Sequence, residues 1–201
     1  MEIGNGTLTA AIDPLGAELV SLRDAQGREL MTDADPAYWT GHAPILFPIV
    51  GRLAGDRYRL DGRDYALPQH GFARRRRFTL AEHSPAQLRF RLEDDATTRE
   101  VYPFAFALDV THALDGATLT TTVAVTNRDG RDLPASIGFH PAFAWPLPYG
   151  RPREAHRITF EKPEPAGIAS IEDALIAPAP RPSPLQDRVL PLSDDLFTED
   201  A

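Results

Sequence analysis

The sequence predicts an all-β fold of antiparallel strands, on three observations. Three successive runs alternate with period two: Leu88, Phe90 and Leu92 around Arg89 and Arg91; Phe104, Phe106, Leu108 and Val110 around Ala105, Ala107 and Asp109; Leu119, Thr121, Val123 and Val125 around threonines and Ala124. With short connections, that pattern is a meander with one buried face. Nineteen prolines, spread from Pro14 to Pro191, leave few windows in which a long helix could persist. Asp61-Gly62, between Arg57–Leu60 and Arg63–Leu67, is the strongest hairpin signal in the chain.

Taken in order, Gly6–Ile12 and Gly16–Leu22 read as strands, followed by a turn at Asp24-Ala25-Gln26-Gly27 and a return over Arg28–Met31. Tyr38–His42 is an aromatic loop. Ala43–Val50 is apolar but broken by Pro44 and Pro48, so a regular central strand is not expected there. Gly51–Arg57 places two arginines across a glycine-bearing bend, and the hairpin that follows delivers the chain to His70. Arg74–Arg77, flanked by Phe72 and Phe78, reads as a solvated edge strand whose charges oppose aggregation. Only Glu93–Glu100 has room for a short helical turn. Leu133–Phe139 is a strand ending at His140, and Ala155–Glu161 is another. Trp145–Gly150 is an aromatic, proline-rich loop, readable as the wall of a site or as a lid over core. Four prolines at alternating positions make 176–184 a polyproline II surface linker, and Pro191–Phe197 leads toward a further element.

One domain over residues 1–201 is expected, since there is no internal repeat and no sharp boundary. A net charge of −8 argues against nucleic acid as a partner, and Arg74–Arg77 is too short a basic run to change that. The absence of cysteine excludes disulfides and thiolate chemistry. Met1 is followed by Glu2, and Asp13 and Pro14 interrupt the early apolar stretch, so neither a signal peptide nor a membrane span is expected and the reading is cytoplasmic.

Two histidines stand out. His70 lies in Leu67-Pro68-Gln69-His70-Gly71-Phe72-Ala73-Arg74 and His140 in Ser136-Ile137-Gly138-Phe139-His140-Pro141-Ala142-Phe143. Each follows a strand-like approach and sits beside a glycine or proline, where the backbone turns at a sheet edge. Two readings stay open on the residues alone: packed structural imidazoles, or a pair meeting in one cleft. The other four, His42, His83, His112 and His156, have no metal-site spacing and read as exposed or singly hydrogen-bonded. Neither a Gly-x-Ser-x-Gly elbow nor a nucleotide-binding glycine loop is present.

The chain resembles the aldose 1-epimerase (galactose mutarotase) superfamily, in particular its LacX-like branch. Five stretches in order carry the resemblance: Phe47–Leu53, Leu67–Arg74, Tyr102-Pro103-Phe104, Ile137–Phe143 and Leu192–Phe197. It implies a large antiparallel β-sandwich, the galactose mutarotase-like supersandwich, whose sugar binds in a cleft on one sheet. It also implies anomer interconversion of a free aldose without metal or organic cofactor. By similarity, His140 is the general acid at the ring oxygen and His70 lies beside it, with Arg52, Arg74 and Phe143 contacting substrate. As a site wall, the Trp145 loop would stack on sugar C–H groups. The family's base is a glutamate in a Glu-Pro-Trp-like context that this chain lacks, and Glu161, Glu164 and Glu172 do not match it. The resemblance therefore places the base, and the last strands of the sandwich, beyond Ala201. Sheet edges left open would then pair in a homodimer. Two alternatives are carried forward: a non-catalytic carbohydrate-binding module, and a hexose-6-phosphate 1-epimerase in which Arg74–Arg77 holds the phosphate.

Overall fold

The computed structural model describes residues 1–172 and 175–198, and divides into two compact units, 1–143 and 144–201. The first unit opens with β1 (Glu2–Gly4), β2 (Leu8–Asp13) and β3 (Glu18–Asp24), an antiparallel sheet in chain order. There follow β4 (Ile45–Leu46) and the hairpin β5 (Arg57–Leu60) and β6 (Arg63–Ala66), turning at Asp61-Gly62 as expected. A meander of β7 (Thr79–Ser84), β8 (Gln87–Glu93), β9 (Phe106–Asp115) and β10 (Thr118–Asn127) forms the second sheet, in the order β10-β9-β8-β7. The one α-helix among the described residues, α1 (Ala96–Val101), overlaps the Glu93–Glu100 window and ends one residue past it. Asp95 and Thr98 close a capping box at its start, satisfying amides that a single turn otherwise leaves open.

Period-two patterning decides which residues meet. Leu88, Phe90 and Leu92 point inward from β8, and Phe106, Leu108 and Val110 from β9. They pack with Ile3, Leu8, Ala10, Ile12, Leu19 and Leu22 of the first sheet in one continuous core, the two-layer arrangement of a β-sandwich. On the outer side of the meander Arg91 donates two hydrogen bonds to Asp109, 2.9 and 2.8 Å, which keeps a nearly buried carboxylate paired. The two edges of this sheet differ. β7 carries a register shift between Leu80 and Glu82 and a charged Glu82, the usual protections of an edge. β10 pairs with β9 in unbroken register over ten residues, and Thr118–Thr126 contains no charge and no proline.

His112 departs from the expectation of an exposed or singly bonded ring. It is 1 % exposed, and its Nε2 lies 2.9 Å from the Ala17 carbonyl and its Nδ1 3.0 Å from the Thr121 hydroxyl. A carbonyl only accepts, so the neutral ring carries its proton on Nε2. That bond fastens the turn before β3, where Ala17 has a positive φ of 49°, to the meander. Burial lowers the His112 pKa, opposed in part by the Ala17 bond. A histidine held neutral in the folded state contributes stability that is complete above its unfolded value near 6.5 and is lost as pH falls through the lower folded value. Urea unfolding is therefore expected to weaken below about pH 6.5. His112→Phe is expected to flatten that limb while costing about 2 kcal/mol at pH 8, because the Ala17 carbonyl loses its donor. An acid limb unchanged in this variant would remove His112 from the account.

Three further expectations, all of strands, are corrected. Arg74–Arg77 is not an edge strand: Ala73–Arg75 forms a 3-10 turn, and Arg77 bridges Leu15. Ala73 and Phe78 are buried there, and a tightened chain satisfies both better than an extended one. Leu133–Phe139 forms a strand only over its last two residues, β11 (Gly138–Phe139). The return after the first hairpin, 28–31, makes isolated bridges, Glu29 to Arg23 and Met31 to Phe143, rather than a strand.

The second unit is built from short pieces: β12 (Arg157–Thr159), β13 (Ile171–Glu172), β14 (Leu175–Ile176) and β15 (Val189–Pro191), paired β12 with β15 and β13 with β14. Described residues between Ile158 and Thr198 frame an apolar hollow of about 690 Å³ whose wall includes Ile158, Leu190, Leu192 and Phe197. Trp145 is used within this unit. Its ring faces Phe197 at 5.5 Å, the Arg153 guanidinium lies 3.7 Å over it, and its Nε1 donates to the Arg153 carbonyl. Among the described residues no helix is long and apolar enough to cross a membrane.

Candidate functional site

The segment expected to be too broken for a central strand forms only a two-residue strand, yet both histidine-bearing segments pair with it. Pro44 and Pro48 limit β4 to two residues, yet neighbours pair on both sides of it. On one side β11 runs antiparallel, with Gly138 opposite Leu46 and Phe139 opposite Ile45. His140 N donates to the Pro44 carbonyl at 3.2 Å, and Ser136 N to the Pro48 carbonyl at 2.9 Å. On the other side Phe47 bridges Gly71 in parallel, and its carbonyl accepts from Phe72 N and Ala73 N at 3.0 and 3.2 Å. The segments carrying His70 and His140 thus border the same few residues, although 70 positions separate them in the chain.

Close backbone approach explains the glycines. A Cβ on Gly71 would lie 2.2 Å from the Phe47 carbonyl oxygen, and Gly71 has φ of 66°. On Gly138 it would meet Val50 at 2.9 Å. Beneath this ledge Phe47, Phe72, Tyr102 and Phe106 form an aromatic cluster with centroids 5.3 to 6.2 Å apart. The Tyr102 hydroxyl donates to the Pro134 carbonyl at 2.9 Å, tying down the approach to β11. The Tyr102-Pro103-Phe104 stretch is therefore support, not chemistry.

His70 is held unusually tightly. Its φ is 63°, a conformation that costs a non-glycine residue about 1–2 kcal/mol, and a two-way clamp to Gly51 retains it. His70 N donates to the Gly51 carbonyl at 2.8 Å, and Gly51 N donates to His70 Nδ1 at 3.0 Å. Because Nδ1 accepts, a neutral His70 must carry its proton on Nε2. Burial, then the charges of Arg74 and His140, lower its pKa. The lowered pKa favours the neutral ring, whose remaining N–H is the Nε2 donor.

His140 is exposed, and its ring lies against Trp39 at 4.9 Å between centroids with the planes 38° apart. Arg74 is half-buried. Its Nη2 donates to the Gln69 carbonyl at 3.3 Å, and its Nε is buried without a hydrogen-bond partner among the described residues. Burial and then Arg75 lower its pKa, with Glu18 opposing. Arg52 directs its fork at Asp56, two bonds of 2.7 Å. Phe143 is 58 % exposed beyond its backbone bridge to Met31. Glu161, Glu164 and Glu172 belong to the second unit and are exposed.

Trp39 and Glu18 were not singled out by the sequence reading. Glu18 Oε1 accepts from His42 N and Ala43 N at 2.6 and 2.9 Å, anchoring the aromatic loop to β3. The sequence signal was Trp39-Thr40-Gly41: a glycine two positions after a tryptophan leaves room for the ring to fold back.

The family model for aldose 1-epimerase matches residues 1–172, a span that contains this ledge and both histidines. The chain belongs to the aldose 1-epimerase family. Within it, the chain is 35% identical to the chromosomal Protein LacX of Lactococcus lactis subsp. lactis, an alignment covering 100% of this chain and 70% of that protein. The fold is likewise that of solved galactose mutarotase-like proteins. A galactose mutarotase related enzyme from Lactobacillus acidophilus superposes with a TM-score of 0.90 at 35% identity, covering 100% of this chain and 67% of the other. A galactose mutarotase-like protein from Lactobacillus casei gives 0.86 at 32%, covering 98% and 68%. Four of the five stretches noted in the sequence lie inside the matched epimerase span, and Leu192–Phe197 lies beyond it.

Proposed function

We propose that this chain carries the sugar site of an aldose 1-epimerase, acting on the anomers of a free aldose. In this reading His140 delivers a proton to the ring oxygen while a base takes the proton of the C1 hydroxyl. The C1–O5 bond opens to the aldehyde, rotation about C1–C2 exposes the other face, and closure returns both protons. A histidine suits the acid because its reference pKa of about 6.5 lets it give and retake a proton near neutrality. His70 donates its Nε2–H toward the ring oxygen, and Arg52, Arg74 and Phe143 contact hydroxyls and the apolar face. The observation that supports this best is the shared ledge: the segments of both histidines pair with residues 44–48, and Gly51 fixes a neutral His70 as an Nε2 donor.

Polarimetry of freshly dissolved α-glucose or α-galactose, with calorimetric titration of the same sugars, tests the proposal. Accelerated mutarotation supports it. Binding without acceleration identifies a non-catalytic carbohydrate-binding module, and neither binding nor acceleration overturns the sugar reading. A hexose-6-phosphate measured in parallel decides the phosphorylated alternative.

We also propose that copies of the chain pair antiparallel through β10, the uncharged and unbulged edge of the meander. Sedimentation equilibrium is expected to give a dimer that Thr122→Lys dissociates, since two lysines would then face each other across the two-fold axis. A single-chain mass at every concentration rejects the pairing.

A further inference from the structure

Resting on that sugar reading, we infer that Trp39 is the aromatic wall of the site, orienting the His140 imidazole and receiving the apolar face of the pyranose.

Three independent features converge on this ring. The first is its contact with His140, 4.9 Å between centroids, inside the range of an aromatic pair. His140 is otherwise tethered only through its backbone to Pro44, so its exposed side chain has no hydrogen-bond partner among the described residues to choose its rotamer. The Trp39 face is what restricts it. The second feature is the floor beneath the indole. A Cβ on Gly41 would lie 2.5, 2.7 and 2.9 Å from three atoms of the Trp39 six-membered ring, so the ring occupies the space any other residue at position 41 would fill. The third is the anchoring of the loop. Trp39 N donates to the Asp35 carbonyl at 3.0 Å and Ala37 N to Asp35 Oδ1 at 2.8 Å. Glu18 takes the two amides that follow Gly41. A loop pinned at both ends and emptied in the middle presents one large aromatic at a set place.

The chemistry fits the place. Proton delivery to a ring oxygen requires the imidazole to be aimed, and a sugar whose hydroxyls are held by arginines still has a C–H face that water solvates poorly. A half-buried indole beside the acid supplies both constraints. Its neighbour Tyr38, 89 % exposed, points into solvent and serves as the internal control.

The test uses Trp145→Phe as background, since the chain has two tryptophans and Trp39 is then the sole one. His140 ring protons, assigned by their loss in His140→Ala, are followed by NMR without any sugar. Trp39→Ala and Gly41→Ala are each expected to move them by removing or displacing the indole's ring current, and Tyr38→Ala to leave them in place. Resonances unmoved by both of the first two variants overturn the orienting role, whatever the sugar assays give. With saturating glucose or galactose, Trp39 fluorescence is expected to change. Trp39→Ala is expected to raise KM by about tenfold, the scale of one aromatic contact, with kcat also reduced. Trp39→Phe is expected to recover part of both. Sugar that binds by calorimetry yet leaves Trp39 emission and KM untouched overturns the wall. Absence of any sugar binding in the parent overturns the wall together with the sugar reading, while the NMR result still decides the orientation of His140. Matching urea midpoints for the variants exclude unfolding as the cause.

Discussion

Alanine at Gly71 is expected to lower the free energy of unfolding by about 4 kcal/mol, a large share of the 5–15 kcal/mol typical of a domain. A positive φ of 66° already costs an L-residue about 1–2 kcal/mol. The larger part comes from overlap: the new Cβ would sit 2.2 Å from the Phe47 carbonyl oxygen and 2.5 Å from its carbon. Backbone does not give way as a side-chain tip does. The segment 71–73 must move off Phe47, and the carbonyl then loses the amides of Phe72 and Ala73, about 1 kcal/mol each. Gly62→Ala is the matched control, with φ of 79° and nothing within 4 Å of its Cβ, so it carries the conformational cost alone, about 1–2 kcal/mol. Urea denaturation of the two variants side by side measures the difference. Equal losses would mean that the contact between 71–73 and Phe47 does not hold the ledge together.

His140→Ala is expected to lower the rate of anomer exchange by about 10²- to 10⁴-fold, the usual contribution of a positioned acid or base. Sugar affinity is expected to change little. His70→Asn should behave differently. Asparagine tolerates the left-handed conformation and offers an oxygen where Nδ1 accepts from Gly51, so the clamp survives. What is lost is the Nε2–H, a single donor, for which a loss of about 10- to 100-fold is expected, shared between KM and kcat. The pH profiles separate the two roles further. The folded pKa of His70 lies below its ordinary value, so its accepting form is complete above that value and is lost as pH falls through the folded pKa. Protonation then sets an N–H against the Gly51 N–H. Part of the acid-side decline is therefore expected to vanish in His70→Asn and to persist in binding measurements on His140→Ala. If His140→Ala keeps the parent rate while His70→Asn abolishes it, the two roles must be exchanged.

The histidine motifs were legible in the sequence because each carries its own local punctuation, glycine after His70 and proline after His140. Their meeting was not. It depends on a two-residue strand that the prolines at 44 and 48 argue against, and whose partners are contributed by segments far apart in the chain. Arg52 shows the same division. Its place on a glycine-bearing bend was readable, but the bidentate bond to Asp56 arises from the folded turn, where Asp56 has φ of 53°. The Trp145 loop was a candidate wall on composition alone, and the folded chain engages that ring with Arg153 and Phe197 instead.

By itself the sequence determined the all-β class, the hairpin at Asp61-Gly62, the inward faces of β8 and β9 and the short helix after Asp95. These follow from alternation, turn chemistry and a window between prolines and strands, whose physics spans only a few residues. Tertiary structure alone decided that His70 is a fixed Nε2 donor, that His112 is a buried clamp, that Trp39 lies against His140 and that Gly71 admits no side chain. Each of these is set by which backbone or ring approaches from another part of the chain, and such an approach leaves no periodic trace in the residues on either side.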